Sequence, residues 1–481
     1  MQILANFING EFLAPKGGRY LDNIEPASGK VYGQIPDSDE ADLTLAIDAA
    51  DKAFPAWSAM PLEQRADILT RISQRILERL EELAAAESKD NGKPLSLAKM
   101  VDIPRAASNF AFFAHACSQF SSEAHAMAGS AINYSLRQPL GIVGCISPWN
   151  LPLYLFTWKI APALAAGNCV IAKPSEITPL TAYLLGEICN DAGLPPGVLS
   201  ILHGRGADIG AALVSHPKIK GLSFTGGTAT GKAIAQATAG QLKKVSLELG
   251  GKNPALVFAD CDVDKTVDAL VRASFANQGQ ICLCPSRLYI ERPIYDRFKA
   301  AFVEKAVSLI PGDPAQVECK FGALVSQAHL NKVLGYIQLA KDEGGTLLCG
   351  GEQVQVPGRC AEGYFVKPTV FEGLDNSCRT NQEEIFGPVV TLQPFDTEEE
   401  ALVMANDSQY GLASTLWTSD LARAHRLGEK LETGIVWVNC WLLRDLRTPF
   451  GGMKGSGLGR EGGLEAMRFF TEVKNVCISF I

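Results

Sequence analysis

The sequence predicts an α/β protein of two large domains, and three observations predict it. At 481 residues the chain is too long for one hydrophobic core, since a domain usually holds roughly 100–200 residues. Between about 140 and 250, short apolar runs recur at "GIVGCIS" (141–147), "NCVIAK" (168–173), "VLSILHG" (198–204), "GLSFTG" (221–226) and "VSLEL" (245–249). Helix-length stretches such as 178–192 and 228–240 separate them. Strands and helices alternating at this spacing form a parallel sheet with crossover helices. Ligands of such sheets sit at the carboxyl ends of the strands, so the chemistry-bearing residues are expected there.

The elements follow in chain order. Residues 62–86, "LEQRADILTRISQRILERLEELAAA", set Ile68, Ile72, Ile76 and Leu80 four apart with charges between them, which predicts one amphipathic helix. A polar, small-residue segment, "SSEAHAMAGSAINYSLRQPLG" (121–141), then interrupts the first domain. A second alternating region, from about 255 to 440, predicts the second domain, and "EAMRFFTEVKNVCISFI" closes the chain as a strand. The segment 121–141 and this terminal strand have no home in either domain. They are expected to pair with each other or with a partner subunit.

Bulk composition narrows the function classes. Hydrophobic residues make up 47% and charged residues 20%, as in an ordinary soluble protein. A net charge of −8 with no basic patch argues against nucleic acid. The start, "MQILANFINGEFLAPKGG", lacks the pattern of a signal peptide, and no apolar run nears the ~20 residues of a membrane-spanning helix. Thirteen scattered cysteines suit reduced thiols in a cytoplasm, most of them small buried hydrophobes.

Three motifs carry chemistry. "SPWN" (147–150) ends the first apolar run, "ELGGK" (248–252) ends the fifth, and "NQGQICLCPSR" (277–287) holds Cys282 and Cys284 one residue apart. An Asn amide, a carboxylate and a thiol make an oxyanion donor, a general base and a nucleophile. Each also has a structural reading: a cysteine packs, a Glu before Gly-Gly ends a strand, and Asn150 caps the next helix. The Cys-x-Cys pair is further open to metal ligation or a reversible disulfide, although no histidine or second cysteine pair stands nearby. Joint placement favours chemistry. A cysteine hydrolase would want a histidine base, and none of the six histidines shares a motif with Cys282. A purely structural protein would have no need of all three groups.

"SPWN", "AAGNCVIAKPSE", "FTGGTATG", "LELGGKNP", "NQGQICL", "EEIFGPVV" and "PFGGMKGSGLGRE" follow one another in the order and spacing of the NAD(P)-dependent aldehyde dehydrogenase superfamily, and the chain resembles that family over nearly its whole length. The resemblance implies two Rossmann-type α/β domains plus a small β oligomerisation element. It assigns 1–120 and 141–247 to NAD binding, 248–440 to catalysis, and 121–140 with 462–481 to assembly as a homotetramer or homodimer. It implies that Cys282 attacks an aldehyde, that Asn150 and the Cys282 N–H hold the oxyanion, and that Glu248 activates water to hydrolyse the thioester.

The cofactor residues it implies are Ile146, Ser147, Pro148, Trp149, Lys173, Ser175, Glu176, Gly206, Gly226, Gly227, Leu249, Gly250, Glu384 and Phe386. Many relatives carry Ser where this chain has Gly227, so phosphate contact there is left to backbone. Glu176 accepts hydrogen bonds from a ribose 2′-hydroxyl and repels a 2′-phosphate, which favours NAD over NADP. The stretches around Arg105 and "NCWLLRDLRTPFGG" (439–452) resemble the branch acting on 2-aminomuconate and 2-hydroxymuconate semialdehydes. Arg105 and Arg444 would clamp a carboxylate, with Trp158 a third substrate contact, while Arg447 is expected in a salt bridge. The competing reading is a dehydrogenase for betaine aldehyde or a broad range of aldehydes. No metal is implied.

Overall fold

The computed structural model describes residues 2–480. Five strands, β1 (Ile142–Ile146), β2 (Cys169–Lys173), β3 (Leu199–Ile201), β4 (Ile219–Thr225) and β5 (Lys244–Glu248), coincide with the five apolar runs. They lie parallel in the order β5-β4-β1-β2-β3. β1 and β2 are buried along their whole length, because helices cover both faces of a parallel sheet, and so they read as continuous apolar runs. Antiparallel additions close both edges: Gly457–Leu458 beside β5, and the hairpin Asn6–Ile8/Glu11–Leu13 beside β3.

Six more parallel strands form a second sheet: β6 (Asn253–Val257), β7 (Pro285–Glu291), β8 (Thr369–Glu372), β9 (Val389–Phe395), β10 (Ala413–Trp417) and β11 (Ile435–Val438). Their order is β8-β9-β7-β6-β10-β11, with Thr346–Cys349 antiparallel outside β8.

In the first sheet the chain proceeds from β1 through β2 to β3 on one side, then returns to place β4 on the other side of β1. A crevice therefore opens between the carboxyl ends of β1 and β4. "SPWN" and Gly226-Gly227 leave the sheet at that crevice.

The helix expected over 62–86 is two helices, Leu62–Glu78 and Leu80–Asn91, broken at Arg79 (φ −101°, ψ 24°). Arg79 bonds Glu82 and Glu187, each at 2.7 Å, which holds the break in place. Ile68, Ile72 and Ile76 are buried as the periodicity requires, whereas Leu80 opens the second helix half-exposed.

Ala131–Pro139 pairs antiparallel with Thr471–Ser479, and Ala124–Met127 adds a third strand outside it. Of the segment 462–481, only Thr471–Ser479 enters this small sheet. The helix Gly463–Phe469 packs Ala466 and Met467 into the core of the first sheet.

Candidate active site

The three motifs converge, but from opposite strand ends. Asn150 follows β1 and Glu248 is the last residue of β5, both carboxyl ends as expected. Cys282 precedes β7, and Glu384 and Phe386 precede β9, so these three stand at the amino ends of strands in the second sheet. The carboxyl-end rule holds for the first sheet only. The second presents its loops to the first across the site.

The cysteine loop is strained and pinned. Asn277 and Gln278 both adopt left-handed backbone (φ 50° and 57°), a costly conformation for such residues. Gly279 (φ 71°) follows, and any Cβ there would run into the Gly387 carbonyl. Asn253 Nδ2 donates to the carbonyls of Cys282 (2.7 Å) and Cys284 (3.0 Å), and Trp441 Nε1 to that of Leu283 (2.9 Å). Opposite, Phe386 is also left-handed (φ 62°), its carbonyl bonded to His329 Nε2 at 2.7 Å.

Asn150 does not cap the helix Pro152–Ala165, which starts after Leu151 without a side-chain cap. Its Nδ2 donates instead to the Gln280 carbonyl at 3.0 Å, which leaves one amide N–H over. Both carboxylate oxygens of Glu248 are buried without a partner among the described residues. Burial, then the neighbouring Glu461, pushes the Glu248 pKa well up against the pull of Lys159, Arg444 and Arg460. Burial, then Glu384 and Glu248, likewise raises the Cys282 thiol, so it is protonated at neutral pH and its reaction needs a base. Cys284 is buried, and both thiols are free.

Two cavities meet at Cys282. One of about 470 Å³ is lined by Arg105, Arg272, Arg444, Glu248 and Glu461 as well as Cys282. The other, of about 240 Å³, is lined by Pro148, Trp149, Gly226, Gly227, Leu249, Gly250, Glu384 and Phe386, again with Cys282. Eight of the expected cofactor residues thus gather around one cavity.

Lys173 ends β2, Ser175 and Glu176 follow it, and Gly206 follows β3; none of the four lines this cavity. Lys173 Nζ donates to Glu176 at 3.2 Å, and the Gly206 N–H to Glu176 at 3.5 Å. Burial raises the Glu176 pKa, but Lys173 and backbone N–H groups outweigh it and keep the group ionised. Ile146 is core, while the Ser147 Oγ is buried with no partner among the described residues. Trp158 departs from expectation: it is 2% exposed and does not line the pocket, because the Arg444 guanidinium covers its ring at 4.4 Å.

The smaller cavity suits part of a dinucleotide, at a helix N-terminus. The helix Thr228–Ala239 begins after Gly227 with no side chain capping it, so its first N–H groups are free for a phosphate. A Cβ at 227 would meet nothing within 4 Å, so the approach is open. Thr225, which lines the cavity, buries a hydroxyl without a partner among the described residues.

Comparison with known proteins agrees. The model of the aldehyde dehydrogenase family matches residues 12–476. The chain belongs to that family. It is 48% identical to a 2-aminomuconic semialdehyde dehydrogenase of Mus musculus (99% of this chain, 98% of the relative). It is also 48% identical to a 2-hydroxymuconic semialdehyde dehydrogenase of Pseudomonas sp. strain CF600 (99% and 100%). An aldehyde dehydrogenase of Bacillus cereus solved as its NAD+ complex superposes with a TM-score of 0.97 at 37% identity (100% and 97% covered).

In this member of the family, Arg444 is the best-supported side chain of the larger pocket. Trp158 and Phe450 hold its guanidinium from two sides (4.4 and 4.0 Å), and its Nη1 donates to the Tyr154 hydroxyl at 2.6 Å. Its Nη2 is buried and lacks an acceptor among the described residues. Arg447 pairs with Asp445 at 2.6 Å, as expected.

Sequence reasoning missed Tyr154, Arg272, His329, Lys332, Glu461 and Lys159. Lys159 left a signal, as the one charge in a helix otherwise apolar over 152–165. It donates to Glu461 at 2.7 Å.

Proposed function

We propose that this aldehyde dehydrogenase oxidises a carboxylated semialdehyde of the muconate type, with NAD as cofactor. The observation carrying the reading is that Cys282 borders two cavities, one reaching Gly226 and Gly227 ahead of the helix Thr228–Ala239 and one lined by arginines. The close relatives that act on 2-aminomuconic and 2-hydroxymuconic semialdehydes, and the NAD+ complex of a structural neighbour, support it.

Glu248, with its raised pKa, accepts the Cys282 proton, and the thiolate attacks the aldehyde carbon. The spare N–H of Asn150 and the Cys282 N–H hold the resulting oxyanion. Lys173 and Glu176 hold the adenosine ribose, the N-terminus of helix Thr228–Ala239 the pyrophosphate, and Glu384 and Phe386 the nicotinamide end. NAD, when bound, supplies the acceptor for the hydride expelled from the former carbonyl carbon. Cys282 then carries a thioester; Glu248, having released its first proton to solvent, takes one from water, the water oxygen adds to the thioester carbon, and the Cys282 thiolate leaves as the acid forms. Arg105 and Arg444 hold the carboxylate at the far end of the substrate.

We assign assembly to the small sheet, whose exposed Met127, Leu136, Val473 and Ile478 suit a subunit contact. Thirteen free thiols suit a reducing cytoplasm. Among the described residues no helix is long and apolar enough to cross a membrane.

The test is NADH formation, followed by absorbance, with a muconate-type semialdehyde and a neutral aldehyde of equal length. Arg444→Ala is expected to raise KM for the semialdehyde by roughly a hundredfold, since it removes a desolvated charge partner. Equal losses on both substrates would overturn the semialdehyde reading. Cys282→Ala should abolish NADH formation from either.

A further inference from the structure

Three guanidinium groups line the larger pocket at three depths. Arg444 is walled in by Trp158 and Phe450, Arg105 is half-buried, and Arg272 is exposed. Arg272 sits one turn before the end of the helix Val263–Phe275. From it one wall of the pocket continues through the half-buried Ala276 and the buried Ile281 to Cys282. Met100, 73% exposed, stands across the mouth.

Two of the three acids lining this pocket are engaged, Asp102 with Lys93 at 2.6 Å and Glu461 with Lys159 at 2.7 Å, and the third, Glu248, is buried beside Cys282. Neither Arg105 nor Arg272 has an ion pair among the described residues, so positive charge at the mouth is uncompensated.

We propose that Arg272 is the capture residue for the anionic end of the substrate. It draws a carboxylate to the mouth, and Arg105 and Arg444 take that carboxylate over as the aldehyde descends to Cys282. The inference rests on the carboxylated-semialdehyde reading and adds a specificity-determining residue to it. An exposed guanidinium holds a carboxylate weakly in water, because solvent and salt screen the pair. It still raises the encounter rate of an anion with a cleft of opposite sign. The signature is therefore kinetic: a salt-dependent gain in kcat/KM for anionic substrates.

The experiment measures kcat/KM for a muconate-type semialdehyde and for a neutral aldehyde of equal length, at low and high salt. It compares wild type, Arg272→Gln and Arg272→Lys. At low ionic strength Arg272→Gln is expected to lower the semialdehyde-to-neutral ratio roughly tenfold, with the loss in KM rather than kcat. The gap should close as salt approaches about 1 M, where the Debye length shrinks to roughly 3 Å, and Arg272→Lys should restore most of the ratio. A ratio that Arg272→Gln leaves alone, or a loss that salt does not move, overturns the capture role while the semialdehyde reading stands. A wild-type enzyme without preference for the semialdehyde overturns both.

Discussion

Arg444 donates to the hydroxyl of Tyr154 at 2.6 Å, across 290 residues of chain, and the same guanidinium keeps a second nitrogen buried with no acceptor among the described residues. The bond fixes which edge of the fork faces the pocket. A buried donor left without an acceptor is costly, and a substrate carboxylate would remove that cost.

Tyr154→Phe deletes the fixing bond and little else. A net hydrogen bond is worth about 1 kcal/mol, so KM for a carboxylated semialdehyde is expected to rise about fivefold. A neutral aldehyde should show a much smaller change, and steady-state kinetics on the pair checks this. Equal shifts on both substrates would mean that Tyr154 merely shapes the pocket.

Glu248→Gln keeps the shape of the site and removes the base. Steady-state turnover is expected to fall by roughly 10²–10⁴, the usual scale for general base catalysis. Rapid-mix measurements separate the two steps that Glu248 serves: a retained first burst of NADH would assign it to thioester hydrolysis alone.

The pH dependence has a definite sign. Glu248 works as the carboxylate, and its pKa is raised, so activity grows as pH rises through that raised value. Glu461→Gln removes a negative neighbour and leaves the positive Lys159 facing the site. Both changes favour the charged form of Glu248, so the acid limb of the kcat profile is expected to move to lower pH. A limb that stays put, or moves up, would show that Glu461 does not act on Glu248.

Stability has its own centre. Lys93 bonds Asp102 at 2.6 Å and lies 3.4 Å from Glu87, with all three side chains at most 1% exposed. Lys93→Met leaves two acids buried without their cation and is expected to cost about 3–5 kcal/mol, read from chemical denaturation. The double variant Lys93→Met/Asp102→Asn should recover part of that loss. Glu87 also accepts from the Leu153 N–H at 3.3 Å, at the start of the helix that carries Tyr154, so the cluster supports the pocket as well.

The strands of the first sheet were legible in the sequence because full burial writes itself as a continuous apolar run. β1 to β5 appear where "GIVGCIS" to "VSLEL" stand. Cys282, Glu248 and Asn150 could be named as candidates because the chemistry proposed for them depends on residue type and their motifs are local. The break at Arg79 was not legible, since one of the two ion pairs made there reaches Glu187, more than a hundred residues away. Nor was the setting of Cys282 at an amino end of a strand, which depends on how the second sheet faces the first.

By itself, then, the sequence determined the parallel α/β architecture and pointed to the three candidate groups, because each is encoded within a few neighbouring residues. Only the tertiary structure decided that Trp158 lies beneath Arg444 instead of touching the pocket, that Tyr154 orients that arginine, and that Arg272 stands at the mouth. The physical reason is that burial and orientation belong to pairs of side chains brought together across the fold, and no local pattern of residues records which pairs will meet.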